Sequence, residues 1–160
     1  MMMPEHNDGG QRREQDELTR VEQLLHSQIP LTRAMGVQVV GRTADGGVIL
    51  EAPLEPNHNH LNTAFGGSLA ALATLSGYVM LWLEVDDPDC HIVIRESRVS
   101  FNRPVTGKLR AICRRPGNAA LAEFRSAFER KDRARLELEA MIEEDGVAAV
   151  TFHATFVAIR

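Results

Sequence analysis

The residues best equipped for chemistry lie in one run, Asn57-His58-Asn59-His60-Leu61-Asn62-Thr63-Ala64-Phe65-Gly66-Gly67-Ser68-Leu69. Its glycine pair sits near the start of a stretch, Ala64 to Leu83, that contains no charged residue. Paired glycines at the start of a buried helix have two readings. Without Cβ atoms, they let the helix end pack closely against a strand. They also let a ligand reach the unpaired N–H groups of the first turn, where the helix dipole is positive. A carbonyl placed there is polarised, and an oxyanion is stabilised.

Other constellations are weaker. His58 and His60 flank Asn59, but a metal site needs more ligands, and no cysteine or carboxylate cluster accompanies them. They read as loop histidines at a polar entrance. Gly66-Gly67-Ser68 lacks the lysine and spacing of a nucleotide phosphate loop. A Gly-x-Ser-x-Gly nucleophile elbow is absent. Met80 to Leu83 read as core, and His153 as a rim residue alternating away from Phe152 and Phe156.

The elements that must position the run follow from periodicity. Leu18, Val21, Leu24 and Leu25 share one face of a helix over 14–27, which Pro30 cannot continue. Val37, Val39 and Val48-Ile49-Leu50 suggest two strands joined through Ala44-Asp45-Gly46-Gly47, a turn with hairpin chemistry. A polar loop spans 53–63. The uncharged helix follows and reads as buried on all sides, although its length would suit a membrane span. Asp86-Asp87-Pro88-Asp89 breaks the chain. Strands are predicted over 91–101 and 108–114, separated by Asn102-Arg103-Pro104-Val105-Thr106-Gly107. Asn118 is a candidate N-cap for a short helix carrying Leu121, Phe124 and Phe128. Leu136, Leu138, Ala140 and Ile142 alternate with polar neighbours. Val150, Phe152, Ala154, Phe156 and Ala158 share one face of the last strand, after a hairpin at Glu144-Asp145-Gly146. Six mostly antiparallel strands curled around an apolar helix satisfy this order. Such a half-open sheet leaves a free edge, for which His91–Phe101 is the candidate.

Composition agrees with one globular domain. The chain has 160 residues, 44% hydrophobic and 25% charged, with a formal net charge of −4. That balance argues against nucleic acid as a partner. Residues 1–13 read as a disordered lead-in without the apolar core of a secretory signal, and 14–160 as the domain. Cys90 and Cys113 read as reduced thiols of a cytoplasmic protein.

Asn59 followed six residues later by Phe65-Gly66-Gly67 resembles the hotdog-fold acyl thioesterases. Phe101-Asn102-Arg103-Pro104-Val105-Thr106-Gly107 is similar to that superfamily's hinge after the central strand. Asn62 to Leu69, with Thr74-Leu75-Ser76-Gly77-Tyr78, resembles one subgroup of thioesterase-like proteins. That subgroup also occurs as the C-terminal domain of some bacterial acetyltransferase-like proteins. The resemblance covers roughly residues 29–160. It implies an α+β hotdog fold, in which a curved six-stranded antiparallel sheet wraps a long central helix. The extra helix before the last two strands fits that subgroup too, and the N-terminal helix read from periodicity precedes the span of the resemblance. The resemblance implies a homodimer, or a tetramer built from it, with sheets joined edge to edge and a site at the subunit interface. Substrates are acyl-CoA or acyl carrier protein thioesters, with no cofactor, no metal and no membrane partner.

Residue by residue, Asn59 matches the asparagine that orients the thioester. Gly66 or Gly67 matches the glycine whose N–H polarises the carbonyl. Phe65 stands where many relatives carry histidine, and Asn62 and Ser68 are matched to substrate binding beside it. The family's catalytic carboxylate falls at Thr74, which is no general base at neutral pH but whose hydroxyl can hold a water. Glu96 is the candidate replacement base, with Ser76 and Ser97 as helpers. Gly66 and Thr74 lie eight helical steps apart, about 12 Å. One thioester reaches both only if two helices meet about a two-fold axis. Arg95, Arg98, Arg103, Lys108, Arg110, Arg114 and Arg115 face the single acid Glu96 within that span. Some of them, with Asn102 and the hinge, could form a mouth for a phosphorylated pantetheine carrier.

The leading expectation is therefore acyl thioester hydrolysis. The alternatives are a hotdog 3-hydroxyacyl-thioester dehydratase or hydratase, and a non-catalytic acyl-carrier binding module, which the missing helix carboxylate supports.

Overall fold

A computed structural model describes residues 8–160; the first seven residues of the expected lead-in lie outside them. The first helix, α1 (Asp8–Gln28), starts six residues earlier than the apolar face predicts. Residues 8–13 are therefore helical rather than disordered. Leu18, Val21 and Leu25 are buried, while Leu24 turns outward. Pro30 ends α1 and caps a short helix, α2 (Leu31–Met35), which periodicity did not predict.

The strands are β1 (Gln38–Arg42), β2 (Val48–Ala52), β3 (His91–Phe101), β4 (Leu109–Cys113), β5 (Arg133–Glu144) and β6 (Val147–Ile159). They form one antiparallel sheet in the order β1-β2-β4-β5-β6-β3. The predicted free edge is thus real: β3 ends the sheet and is largely exposed. At the other end, short β1 packs against α1.

Alternation separates two faces. On β5, Ala134, Leu136, Leu138, Ala140 and Ile142 are buried, while Arg135, Glu137 and Glu139 are exposed. Their β6 partners Phe152, Ala154, Phe156 and Ala158 are buried with them. This apolar face wraps the central helix, α3 (Gly66–Val85). Helix and sheet approach so closely that a Cβ on Gly77 would collide with the Phe156 ring. That ring also meets the Tyr78 ring edge-on, with centroids 5.7 Å apart.

Burial of α3 on all sides is corrected. Gly67 is exposed, and Ala71, Thr74, Tyr78 and Trp82 are only half-buried. Their spacing of three or four residues makes this one open stripe. The helix is long and apolar enough to cross a membrane, but here it is the core of the fold.

The last helix, α4 (Asn118–Lys131), buries Leu121, Phe124 and Phe128. Its N-cap is Gly117, not Asn118. Asn118 is the first helical residue, and its Oδ1 accepts from Arg115 at 2.9 Å. Buried Glu84, near the end of α3, accepts from Arg115 and Arg125, each at 2.6 Å. This triad fastens α3 to the β4–α4 connection.

Candidate active site

The site is built where the loop after β2 enters α3. A 3-10 turn at Glu55–Asn57 leads into it. Buried Asn57 donates through Nδ2 to the carbonyls of Met35 and Pro53, both at 2.8 Å, and its own carbonyl accepts the Phe65 N–H. Nothing in composition or spacing distinguishes this residue from its neighbours Asn59 and Asn62.

Asn59 closes the loop on itself. Its Oδ1 accepts from Leu61 N–H at 2.8 Å and Thr63 N–H at 3.2 Å, and its Nδ2 donates to the Thr63 hydroxyl at 2.9 Å. Only one Nδ2 hydrogen remains for a ligand. Asn62 sits in the turn at φ 57°, a left-handed conformation that asparagine tolerates well. Its residue type is thus explained by the backbone.

At the helix start, the Ala64 N–H goes to the carbonyl of Val105, in the hinge. The first bond into the helix runs from Leu69 N–H to the Phe65 carbonyl. The N–H groups of Gly66, Gly67 and Ser68 therefore have no backbone acceptor among the described residues, and no side chain caps them. Aromatic rings crowd both glycines. The Phe101 ring lies 3.5 Å from where a Gly66 Cβ would be, and the Phe65 ring occupies the corresponding space at Gly67. Phe65 and Phe101 are nonetheless 56% and 55% exposed, an apolar rim around the open helix end.

Thr74 lies on the half-open stripe. Its hydroxyl donates to the Ala70 carbonyl at 2.8 Å, so only its lone pairs face a ligand or water. Ser76 is buried on another face and donates to Ala73 at 2.6 Å.

Glu96 is not brought to this site. It pairs with Thr155, which pairs with Glu137 on the outward face of the sheet. Ser97, opposite the buried Ala154, lies on the helix-facing side. A bulge at Arg95 sets this alternation. A groove of about 760 Å³ also lies on the outward face, among Glu96, Arg98, Arg114, Glu137, Glu139 and His153.

The basic run is dispersed rather than gathered into one mouth. Lys108 and Arg110 pair with Glu51, Arg114 with Glu139 and Arg115 with Glu84. Arg95, Arg98 and Arg103 have no ion-pair partner among the described residues. Asn102 and Arg103 follow β3 at the end where Phe101 meets Gly66, and both backbone N–H groups bond to the Ala149 carbonyl.

Residues 18–160 match the model of a family described as "Putative thioesterase (yiiD_Cterm)". A protein of unknown function from Chlorobaculum tepidum TLS is 32% identical over 92% of this chain and 96% of that one, with a TM-score of 0.84. A "putative thioesterase" from Shewanella oneidensis is 28% identical over 91% and 99%, at a TM-score of 0.79. A thioesterase from Haemophilus influenzae shares the fold at 16% identity over 89% and 90%, with a TM-score of 0.64.

Proposed function

Because the chain belongs to the thioesterase family whose model spans residues 18–160, we propose that it hydrolyses an acyl thioester of coenzyme A or acyl carrier protein. One observation carries the reading: the uncapped first turn of α3, with the N–H groups of Gly66, Gly67 and Ser68 free of backbone acceptors. The thioester carbonyl oxygen accepts from that turn. Water attacks the carbonyl carbon, and negative charge grows on the oxygen under the helix dipole. The carbon–sulfur bond then breaks; the thiolate leaves and takes up a proton, and the acyl group leaves as the acid. The reading uses no metal or organic cofactor.

Thr74 holds the attacking water through its oxygen lone pairs. It lies too far along the same helix for the same thioester, so the Thr74 that acts belongs to the partner subunit of a dimer formed along β3. The open stripe of α3, the free β3 edge and the exposed Phe65 and Phe101 support this pairing. One observation favours a binding module instead. Glu84 is the only acid on α3, and it is consumed by two arginines.

The test is thiol release from a panel of acyl-CoA and acyl-carrier thioesters. Release that falls in Thr74→Ala supports hydrolysis. Saturable binding without release identifies a binding module, and water loss from a 3-hydroxyacyl thioester identifies a dehydratase.

A further inference from the structure

The β3 edge carries charges in an order that selects one way for two copies to meet. Glu96 and Arg98 flank Ser97 on the outward face, without an ion-pair partner among the described residues. In a two-fold antiparallel pairing, one residue lies opposite its own copy on the axis. Residues directly opposite share a face, so charges on one outward face meet.

Each centre has a different consequence. Centred on Glu96, the axis sets two carboxylates against each other; centred on Arg98, it sets two guanidinium groups together. Centred on Val99, it leaves Arg98 opposite Ser100. Only the Ser97 centre puts Glu96 of each copy opposite Arg98 of the other, making two reciprocal pairs. Opposite charges facing across strands stabilise pairing, and like charges oppose it.

We infer that Glu96 and Arg98 set the register of a symmetric β3–β3 dimer centred on Ser97. This rests on the proposed two-protomer site, which is incomplete without the second copy. It replaces the expectation that Glu96 is a catalytic base. The pairing also extends a row already present on the outward face. There, Glu139 lies 3.5 Å from His153, and His153 pairs across strands with Arg98. On the adjacent row, Glu137, Thr155 and Glu96 lead to the partner's Arg98.

The test is charge exchange read by sedimentation, which needs no turnover. Glu96→Arg sets arginine against arginine, and Arg98→Glu sets glutamate against glutamate, twice per dimer. Each single variant should raise the dimer dissociation constant about tenfold or more. The double variant Glu96→Arg/Arg98→Glu restores complementarity and should return it to near the wild-type value. Oxidised Ser97→Cys should form a covalent dimer more completely than Val99→Cys. A wild-type monomer at micromolar concentration, unaffected single variants, an unrestored double variant or preferential cross-linking through Val99→Cys would each overturn the register. None of these outcomes depends on whether the protein hydrolyses thioesters.

Discussion

The Glu144 carboxylate accepts the Thr106 backbone N–H at 2.6 Å, and the same Oε1 takes the Thr106 hydroxyl at 3.1 Å and the Gly107 N–H at 3.0 Å. The β5–β6 hairpin thereby holds the hinge whose Val105 carbonyl fixes Ala64, two residues before α3. Partial burial raises the Glu144 pKa, but the bonds from Thr106 and Gly107 outweigh it and hold the carboxyl below the ordinary glutamate value. Such a depressed pKa contributes stability above about pH 4.3, lost as pH falls through the lower folded value.

Glu144→Gln keeps an oxygen at the Oε1 position and should retain turnover at pH 7. Glu144→Ala releases the hinge and should lower kcat several-fold with little change in KM. Its melting temperature should fall by roughly 2–4 °C, as loss of about 1 kcal/mol implies. Steady-state kinetics and thermal melts on both variants check this. Equal turnover in Glu144→Ala and wild type would show that the hinge does not set the helix end.

Asn59→Asp separates the loop's needs from those of the substrate. Aspartate can still accept from Leu61 and Thr63 N–H, and the Thr63 hydroxyl can rotate to donate to it. What disappears is the remaining side-chain N–H. The expected outcome is a near-native melting temperature with turnover reduced by about 10²-fold, the scale of one lost transition-state donor. Full turnover would leave Asn59 a loop staple alone.

Much of the fold was legible because burial imposes period. The alternation from Leu136 to Ile142, the shared face of Phe152 and Phe156, and the β3 span follow from which side chains must leave water. The left-handed residues Asp145 and Gly146 likewise show in the hairpin's composition. The start of α1 was hidden because residues 9–13 are all exposed. The open stripe of α3 was hidden because Ala71, Thr74 and Tyr78 look like any small or aromatic core residues. The outward turn of Glu96 was hidden because the Arg95 bulge does not show in residue type. Glu144 gave no signal, since its partners lie nearly forty residues away.

Arg103 is exposed at the helix-opening end, and its charge helps to depress the Glu144 pKa. Arg103→Ala should raise KM for an acyl-CoA several-fold and leave kcat nearly unchanged, the pattern of lost uniform binding. A truncated acyl-pantetheine thioester lacks the nucleotide phosphates, so its KM should change less. Equal losses on the two substrates would make Arg103 structural. Raised salt should weaken the wild-type advantage, because the Debye length is already about 8 Å at physiological ionic strength.

Burial pushes the Cys113 thiol up to about 12, against a lesser opposing pull from Ser76. Burial, then the charge of Asp87, also raises the Cys90 pKa. Both should resist thiol reagents at neutral pH in the folded protein and react fully in denaturant. The sign for stability follows. Raised thiol values favour the fold fully below the unfolded pKa of about 8.5, and that contribution fades as pH rises toward the folded values. Rapid labelling of either cysteine under native conditions would contradict this packing.

The central claim is that one thioester is held by the α3 N-terminus of one protomer and served by Thr74 of the other. Mixing two inactive homodimers, Thr74→Ala and Gly67→Val, tests it directly after subunit exchange. Half of the dimers would then be mixed, and each would carry one intact composite site, giving about a quarter of wild-type thiol release. Release at that level is the predicted result. A mixture that exchanges subunits yet stays as inactive as its parents would contradict the claim.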